Sequence, residues 1–283
     1  MRAHPKGRPT GCRPDKGKWR GRAVALSALR KAPGPQHSRS ADGPEGPSLQ
    51  NTRSAPTGRE LARLRRWVVR VTRKLEKHFG EPTLGRRRSD PLEVLIVTIL
   101  SQNTNDELRD RAYERLREKY PSWGKMLGAP VRSIASAVRI SGLHRQKAER
   151  IKRALRWTEE HFGALSLRGL CRMPTEQAFQ ALTVLNGVGP KTAAVVLLFG
   201  CGRDIFPVDT HCHRTARRIG FVPWKSTREQ TFARMQPLVP EGKALSLHLN
   251  LIRLGRTICR APRPRCSDCF LAKDCQFPEK TVG

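Results

Sequence analysis

Thirteen residues, Leu185-Asn186-Gly187-Val188-Gly189-Pro190-Lys191-Thr192-Ala193-Ala194-Val195-Val196-Leu197, constrain this 283-residue chain more than any other stretch. An amphipathic segment carrying Phe179, Leu182 and Leu185 runs into a short Gly-Val-Gly turn, and a more apolar helix follows. Two glycines two apart permit positive φ and let bare backbone approach a ligand closely. Pro190 suits the first turn of the helix that opens there. The N–H groups of a helix start have no intrahelical partner, so the turn offers an anion site at Gly187, Val188, Gly189 and Thr192. With a formal net charge of +31, the expected anion is a nucleic-acid phosphate.

The charge is unevenly placed. Residues 1–58 hold 12 Lys and Arg against 3 Asp and Glu, with eight Pro and eight Gly, so this basic segment reads as a disordered tail. Non-specific DNA affinity, an organelle transit peptide and a start codon placed too early are three open readings of it. The remaining +22 belongs to the folded part and predicts salt-sensitive binding to a polyanion. No apolar run is long enough to span a bilayer and no signal-peptide core is evident, so no membrane partner is expected.

From Glu60 the pattern is helical. Leu61, Leu64, Val68, Val71 and Leu75 line one face, and Gly80 and Pro82 close the element. A basic loop, Arg86-Arg87-Arg88, precedes Ser89-Asp90-Pro91-Leu92-Glu93. There Asp90 suits the N-cap, Pro91 the first position and Glu93 a reciprocal cap. The helix 92–100 is apolar nearly all round and so belongs inside. It delivers a polar cluster, Ser101-Gln102-Asn103-Thr104-Asn105-Asp106, in which Thr104 and Glu107 fit a capping box. Gln102 and Asn103 are not needed for that cap, and their amides suit base edges or a hole left in a duplex. Ala148, Ile151 and Leu155 mark a further amphipathic helix, and Pro174-Thr175 starts the one entering the turn. No alternating strand pattern occurs, so the expected class is all-α.

Two constellations carry chemistry. Asp209, in Val208-Asp209-Thr210-His211, lies eighteen residues after Lys191. Taken singly, Lys191 reads as a solvated charge in a first helical turn and Asp209 as an N-cap. Cys259, Cys266, Cys269 and Cys275 have the spacing C-x6-C-x2-C-x5-C, enough thiolates for one tetrahedral metal or one iron–sulfur cube. Cys12, Cys171, Cys201 and Cys212 have no such spacing; the last three read as unpaired small core residues.

The hairpin with Lys191 and the Asp209 segment resembles the helix-hairpin-helix DNA glycosylases. Together with the polar cluster, Gly142-Leu143 before Lys147-Ala148, and the four cysteines, it is similar to the endonuclease III family over about residues 60–275. The resemblance implies a bifunctional DNA glycosylase/AP lyase, acting in base excision repair on oxidised pyrimidines and abasic sites in double-stranded DNA. It implies Lys191 as the nucleophile that attacks the sugar and Asp209 as its assistant. It also implies a [4Fe–4S] cluster on the four cysteines, whose loop brings Arg260, Arg263 and Arg265 to phosphates. The implied architecture is a six-helix domain at 86–203, and a cluster-bearing helical domain from 59–85 and 204–283. Asn186 stands where the family often has Pro. The cluster Ser-Gln-Asn-Thr-Asn-Asp differs from the commoner Ser-Ala-Gln-Ala-Thr-Asp, so either Gln102 or Asn103 fills the gap left by a flipped nucleotide. Thymine or uracil mismatch glycosylases of the same superfamily are the competing reading, as is a non-catalytic DNA-binding module. Adenine glycosylases lack the Lys and carry a further domain, whereas this chain stops eight residues after Cys275. A monomer is expected, in a prokaryotic cytoplasm or nucleoid, or in a nucleus or organelle if the source is eukaryotic.

Overall fold

The computed structural model describes residues 58–84 and 89–277. The basic tail before them, the Arg86-Arg87-Arg88 loop and Cys12 lie outside the described residues. These are helical without a strand: α1 (Gly58–Phe79), α2 (Pro91–Leu100), α3 (Asp106–Lys119), α4 (Trp123–Gly128), α5 (Val131–Ala137), α6 (His144–Phe162), α7 (Thr175–Thr183), α8 (Pro190–Val195), α9 (Thr210–Ile219), α10 (Arg228–Met235) and α11 (Ala244–Thr257). Short 3-10 turns lie at Arg139–Ser141, Arg168–Arg172 and Ala272–Asp274, and α8 continues as a π turn, Val196–Gly200.

Helix α2 is the pivot. Asp90 caps it by accepting from the Leu92 N–H at 2.9 Å, and Pro91 opens it. Eight of its ten residues are buried, so every face needs a neighbour. It packs against α3, α6, α8 and the π turn. Each buried Leu or Ile there contributes about 1.5–3 kcal/mol from leaving water. Gly200 of the π turn lies so close to Pro91 that a Cβ would sit 2.8 Å from the Pro91 Cα. Glu93 is not a reciprocal cap: its carboxylate accepts from the Tyr113 hydroxyl at 2.9 Å, because α3 packs alongside and offers a donor that the helix start cannot match.

Helix α1 lays Val68, Val71 and Leu75 against α11, and α11 packs on α9. The first described helix is thereby joined to the last ones. Asp274 ties α1 further by accepting from Arg70 at 2.8 Å and from Lys74 at 2.6 Å. One continuous apolar core runs through all these helices. Cys171 and Cys201 form a disulfide, contrary to their reading as unpaired core thiols. Packing of the 3-10 turn at Arg168–Arg172 against the π turn brings together two cysteines that are 30 residues apart. Cys212 is fully buried, as expected for a small core residue.

Candidate active site

The hairpin enters from α7, turns at Gly187 and leaves through α8. Only Gly187 uses positive φ, at +91°; Gly189 is extended at φ −87° and caps α8 with no side chain. Pro190 takes the first position, which places Lys191 within the first turn. Thr192 is buried just behind it.

Asp209 caps a helix and also lines the cleft. Its Oδ1 accepts from the Cys212 N–H at 2.7 Å, which caps α9, and the same carboxylate lines the cleft containing Lys191. This cleft has a volume of about 700 Å³. Gln102 and Asn103 enter it from the end of α2, Arg150 from α6, Phe232 from α10, and His248 and Arg256 from α11. The first residues of α8, α9 and α10 all line it, so three helix starts converge there with their partial positive charge.

Burial and charge act on Lys191 in opposite senses. Burial lowers its pKa from the usual 10.5, while the Asp209 carboxylate opposes that shift. Behind the pair, burial pulls the His248 imidazole down to about 4, so it is neutral at pH 7. Its Nδ1 lies 2.9 Å from the Pro207 carbonyl, which assigns the ring proton to that nitrogen. Burial also raises the Cys212 thiol well above its ordinary range. At the opposite wall Asp106 accepts from Arg109 at 2.7 Å and from Arg256 at 2.6 Å. The Arg256 hydrogen bond, ahead of burial's opposing effect, holds the Asp106 carboxyl below its usual value.

The polar cluster is arranged differently from the capping box expected of Thr104 and Glu107. The cap of α3 is Asn105, which accepts from the Leu108 N–H at 2.8 Å; starting the helix one residue later turns Thr104 toward the cleft. Gln102 is half-buried and reaches the hairpin, its Nε2 donating to the Gly187 carbonyl at 3.4 Å. Asn103 is exposed and left-handed, φ 51°. Lys147, fully buried, donates from Nζ to the carbonyls of Leu100 at 2.7 Å and Ser141 at 2.6 Å. The signal for it was present in the sequence, since Lys147 shares the apolar face of α6 with Ile151. The same loop raises Leu143, left-handed at φ 47° and 48 % exposed.

Cys259, Cys266, Cys269 and Cys275 line one small cavity together with Arg218. Arg218 Nη1 lies 3.5 Å from Cys259 Sγ, a donor suited to a thiolate, and Cys275 Sγ lies 3.2 Å from the Arg218 carbonyl. Four thiols from one loop line one space, and thiolates are the donors an iron–sulfur cluster uses. Among the described residues no three His, Cys, Asp or Glu side chains are grouped closely enough to hold a metal ion. Arg260, Arg263 and Arg265 are exposed on this loop and do not line the cleft. Arg265 pairs with Asp268 at 2.6 Å.

Comparison with known proteins agrees with this geometry. Residues 96–241 match the model of the HhH-GPD superfamily base excision DNA repair proteins. Endonuclease III of Thermotoga maritima is 34% identical over 210 residues, 74% of this chain and 92% of that protein. A solved structure of a trapped endonuclease III–DNA covalent intermediate superimposes with a TM-score of 0.65 at 26% identity, covering 75% of this chain and 95% of the other. A thermostable thymine-DNA glycosylase superimposes with a TM-score of 0.63 at 25% identity, covering 78% and 99%. The chain therefore belongs to the HhH-GPD superfamily and, within it, to the endonuclease III family of base excision repair DNA glycosylases.

Proposed function

We propose that this DNA glycosylase is bifunctional, releasing oxidised pyrimidines from duplex DNA and cutting the resulting abasic sites. The observation that carries the reading is Lys191: a lysine whose pKa burial lowers, at a helix start, in one cleft with Asp209. A monofunctional enzyme has no need of an amine there.

The damaged nucleotide must leave the stack before its sugar can enter the cleft. Neutral Lys191 then attacks C1′. A C–N bond forms as the glycosidic bond breaks, and the base departs with the bonding electrons and takes up a proton. Ring opening gives a Schiff base between Lys191 and the sugar. Loss of a C2′ proton expels the 3′ phosphate by β-elimination, and water releases Lys191. Asp209 stabilises positive charge developing on the sugar and assists proton transfer. Gln102 or Asn103 fills the space vacated in the duplex. Cys259, Cys266, Cys269 and Cys275 would hold a [4Fe–4S] cluster, which would serve as the scaffold of their loop. Arg260, Arg263 and Arg265 would contact phosphates beyond the cleft.

The likeness to a thymine-DNA glycosylase favours one second reading, removal of T or U opposite G. Matched duplexes carrying thymine glycol, an abasic site, U·G or T·G test both. Base release from thymine glycol together with strand cleavage is expected. Release from T·G or U·G with thymine glycol untouched would move the assignment to the mismatch enzymes.

A further inference from the structure

One face of helix α1 is a row of cations. Arg59, Arg63, Arg66, Arg70, Arg73 and Lys77 follow one another at alternating steps of four and three residues, and all are exposed. At 3.6 residues per turn the row stands about 150° around the helix from the apolar stripe of Leu64, Val68, Val71 and Leu75. The two acids of α1, Glu60 and Glu76, each fall about 100° off it. Among the described residues only Arg70 of the six has a carboxylate partner, Asp274.

The row looks away from the cleft, and α11 separates the two. His248, Ile252 and Arg256 of α11 line the cleft. Ser246, Asn250 and Arg253 turn instead to α1 and the residue after it. They donate to Glu76 Oε1 at 2.7 Å, to the Gly80 carbonyl at 3.0 Å and to the Phe79 carbonyl at 2.8 Å. These two sets stand about 130° apart around α11. Helix α1 therefore packs on the side of α11 away from the cleft, with its cations facing outward. A groove of about 570 Å³ runs beside Arg66, Arg70, Arg73 and Lys77, and no residue lines both it and the cleft. A straight duplex seated in the cleft leaves the row facing solvent.

We infer that the exposed face of α1 is a second DNA-binding surface, which takes the phosphate backbone of another duplex segment while the cleft holds the first. Three properties select duplex DNA. Cations spaced along a straight helix match a linear polyanion, and the row spans about 27 Å, or about eight base pairs. Five of its six residues are arginines, whose planar forks match phosphate oxygens. A helix lying on a membrane needs an apolar face to bury in lipid, and that of α1 is already packed against α11. A chain with two such surfaces bridges two segments and passes between them without leaving DNA.

The test uses the full chain. A short duplex carrying a tetrahydrofuran abasic analogue is immobilised and saturated with protein, and a labelled, undamaged second duplex is added at several salt concentrations. Residues 1–57 are common to every chain compared, so their charge cancels. Wild type is expected to capture the second duplex. Arg66→Gln/Arg73→Gln/Lys77→Gln should lose most of that capture, with a plot of log affinity against log salt shallower by about 2.7, the share of three phosphate contacts. Its affinity for the analogue duplex should stay within about twofold of wild type. The charge-keeping variant Arg66→Lys/Arg73→Lys/Lys77→Arg should retain capture, which separates charge from folding. Wild type that captures no second duplex, or a glutamine variant that captures it as well as wild type does, would overturn the inference. So would equal losses for both duplexes, which would assign the row to the footprint of the first. Capture of phosphatidylglycerol vesicles or polyglutamate in place of the second duplex would give the surface to another partner and overturn it too.

Discussion

The Lys147 ammonium donates to the Leu100 carbonyl at 2.7 Å and so closes the C-terminal end of α2, two residues before Gln102. Its second bond, to Ser141 at 2.6 Å, ties the loop that raises Leu143. One buried charge thus ties two segments, the end of α2 that leads to Gln102 and the turn that raises Leu143.

Lys147→Met should therefore act on stability and on DNA binding together. It removes donors from two carbonyls and leaves them unsatisfied, which costs about 1–3 kcal/mol each at most. Thermal melting should show a clear loss. Affinity for an abasic-analogue duplex should fall even at temperatures where the variant is fully folded. A folded variant with wild-type affinity would show that the two segments hold their places without Lys147.

Lys191 and Asp209 predict a pH signature. Only the neutral amine attacks, so borohydride trapping on abasic DNA should rise with pH through the Lys191 pKa, below the usual 10.5. Asp209 raises that pKa by favouring the ammonium, so Asp209→Asn should move the rising limb to still lower pH. Its maximal rate should nevertheless fall by about 10²–10⁴-fold with the loss of charge stabilisation and proton transfer. Lys191→Gln should bind DNA without trapping. An unshifted or upward-shifted limb in Asp209→Asn would separate the carboxylate from the amine.

The two hairpin glycines should respond in opposite ways. Gly187→Ala forces a side chain into φ +91° and against Arg150, so it should lower the melting temperature and DNA affinity alike. Gly189→Ala meets nothing within 4 Å and sits at φ −87°, so the fold should tolerate it. Its added methyl would stand where a phosphate must approach backbone N–H groups, so affinity alone should drop. Calorimetry paired with anisotropy distinguishes the two. Equal melting losses in both would remove the special role of Gly187.

The cysteine loop yields an analytical prediction. Protein purified without oxygen should carry about four iron atoms with equal sulfide, as a cube held by four thiolates requires. Cys266→Ser should lose iron and weaken DNA binding more than it slows a single turnover of bound substrate. Stoichiometric zinc without sulfide would replace the cluster with a plain metal site.

Features written in consecutive residues were legible in the sequence. Asp90-Pro91 at a helix start, the apolar face of α1, the hairpin and the Asp209 cap of α9 all depend on neighbours within a turn or two. The all-α class follows from those periods. What was not legible depends on elements meeting in space. Arg150 stands 48 residues from Gln102, and Arg256 150 residues from Asp106, and nothing near any of them in the chain marks the pairing. The disulfide partners were read as separate core residues for the same reason. Local signals also mislead where two residues can serve one role: Thr104 and Asn105 both suit a cap, and the helix uses Asn105. Glu93 could have closed a cap, but a tyrosine on α3 claimed it.

Three helices begin at the cleft, at Pro190, Thr210 and Arg228. Their partial charges reside in peptide bonds, which neither titrate nor change with the side chain encoded. A basic groove made only of lysines and arginines can be dismantled one codon at a time. This one keeps part of its pull on a phosphate through any such loss, for as long as the helices keep their starting points. Substitutions that remove a charge should therefore dull the cleft by degrees, whereas a proline past the first turn of any of these helices would break that helix and remove its share at once.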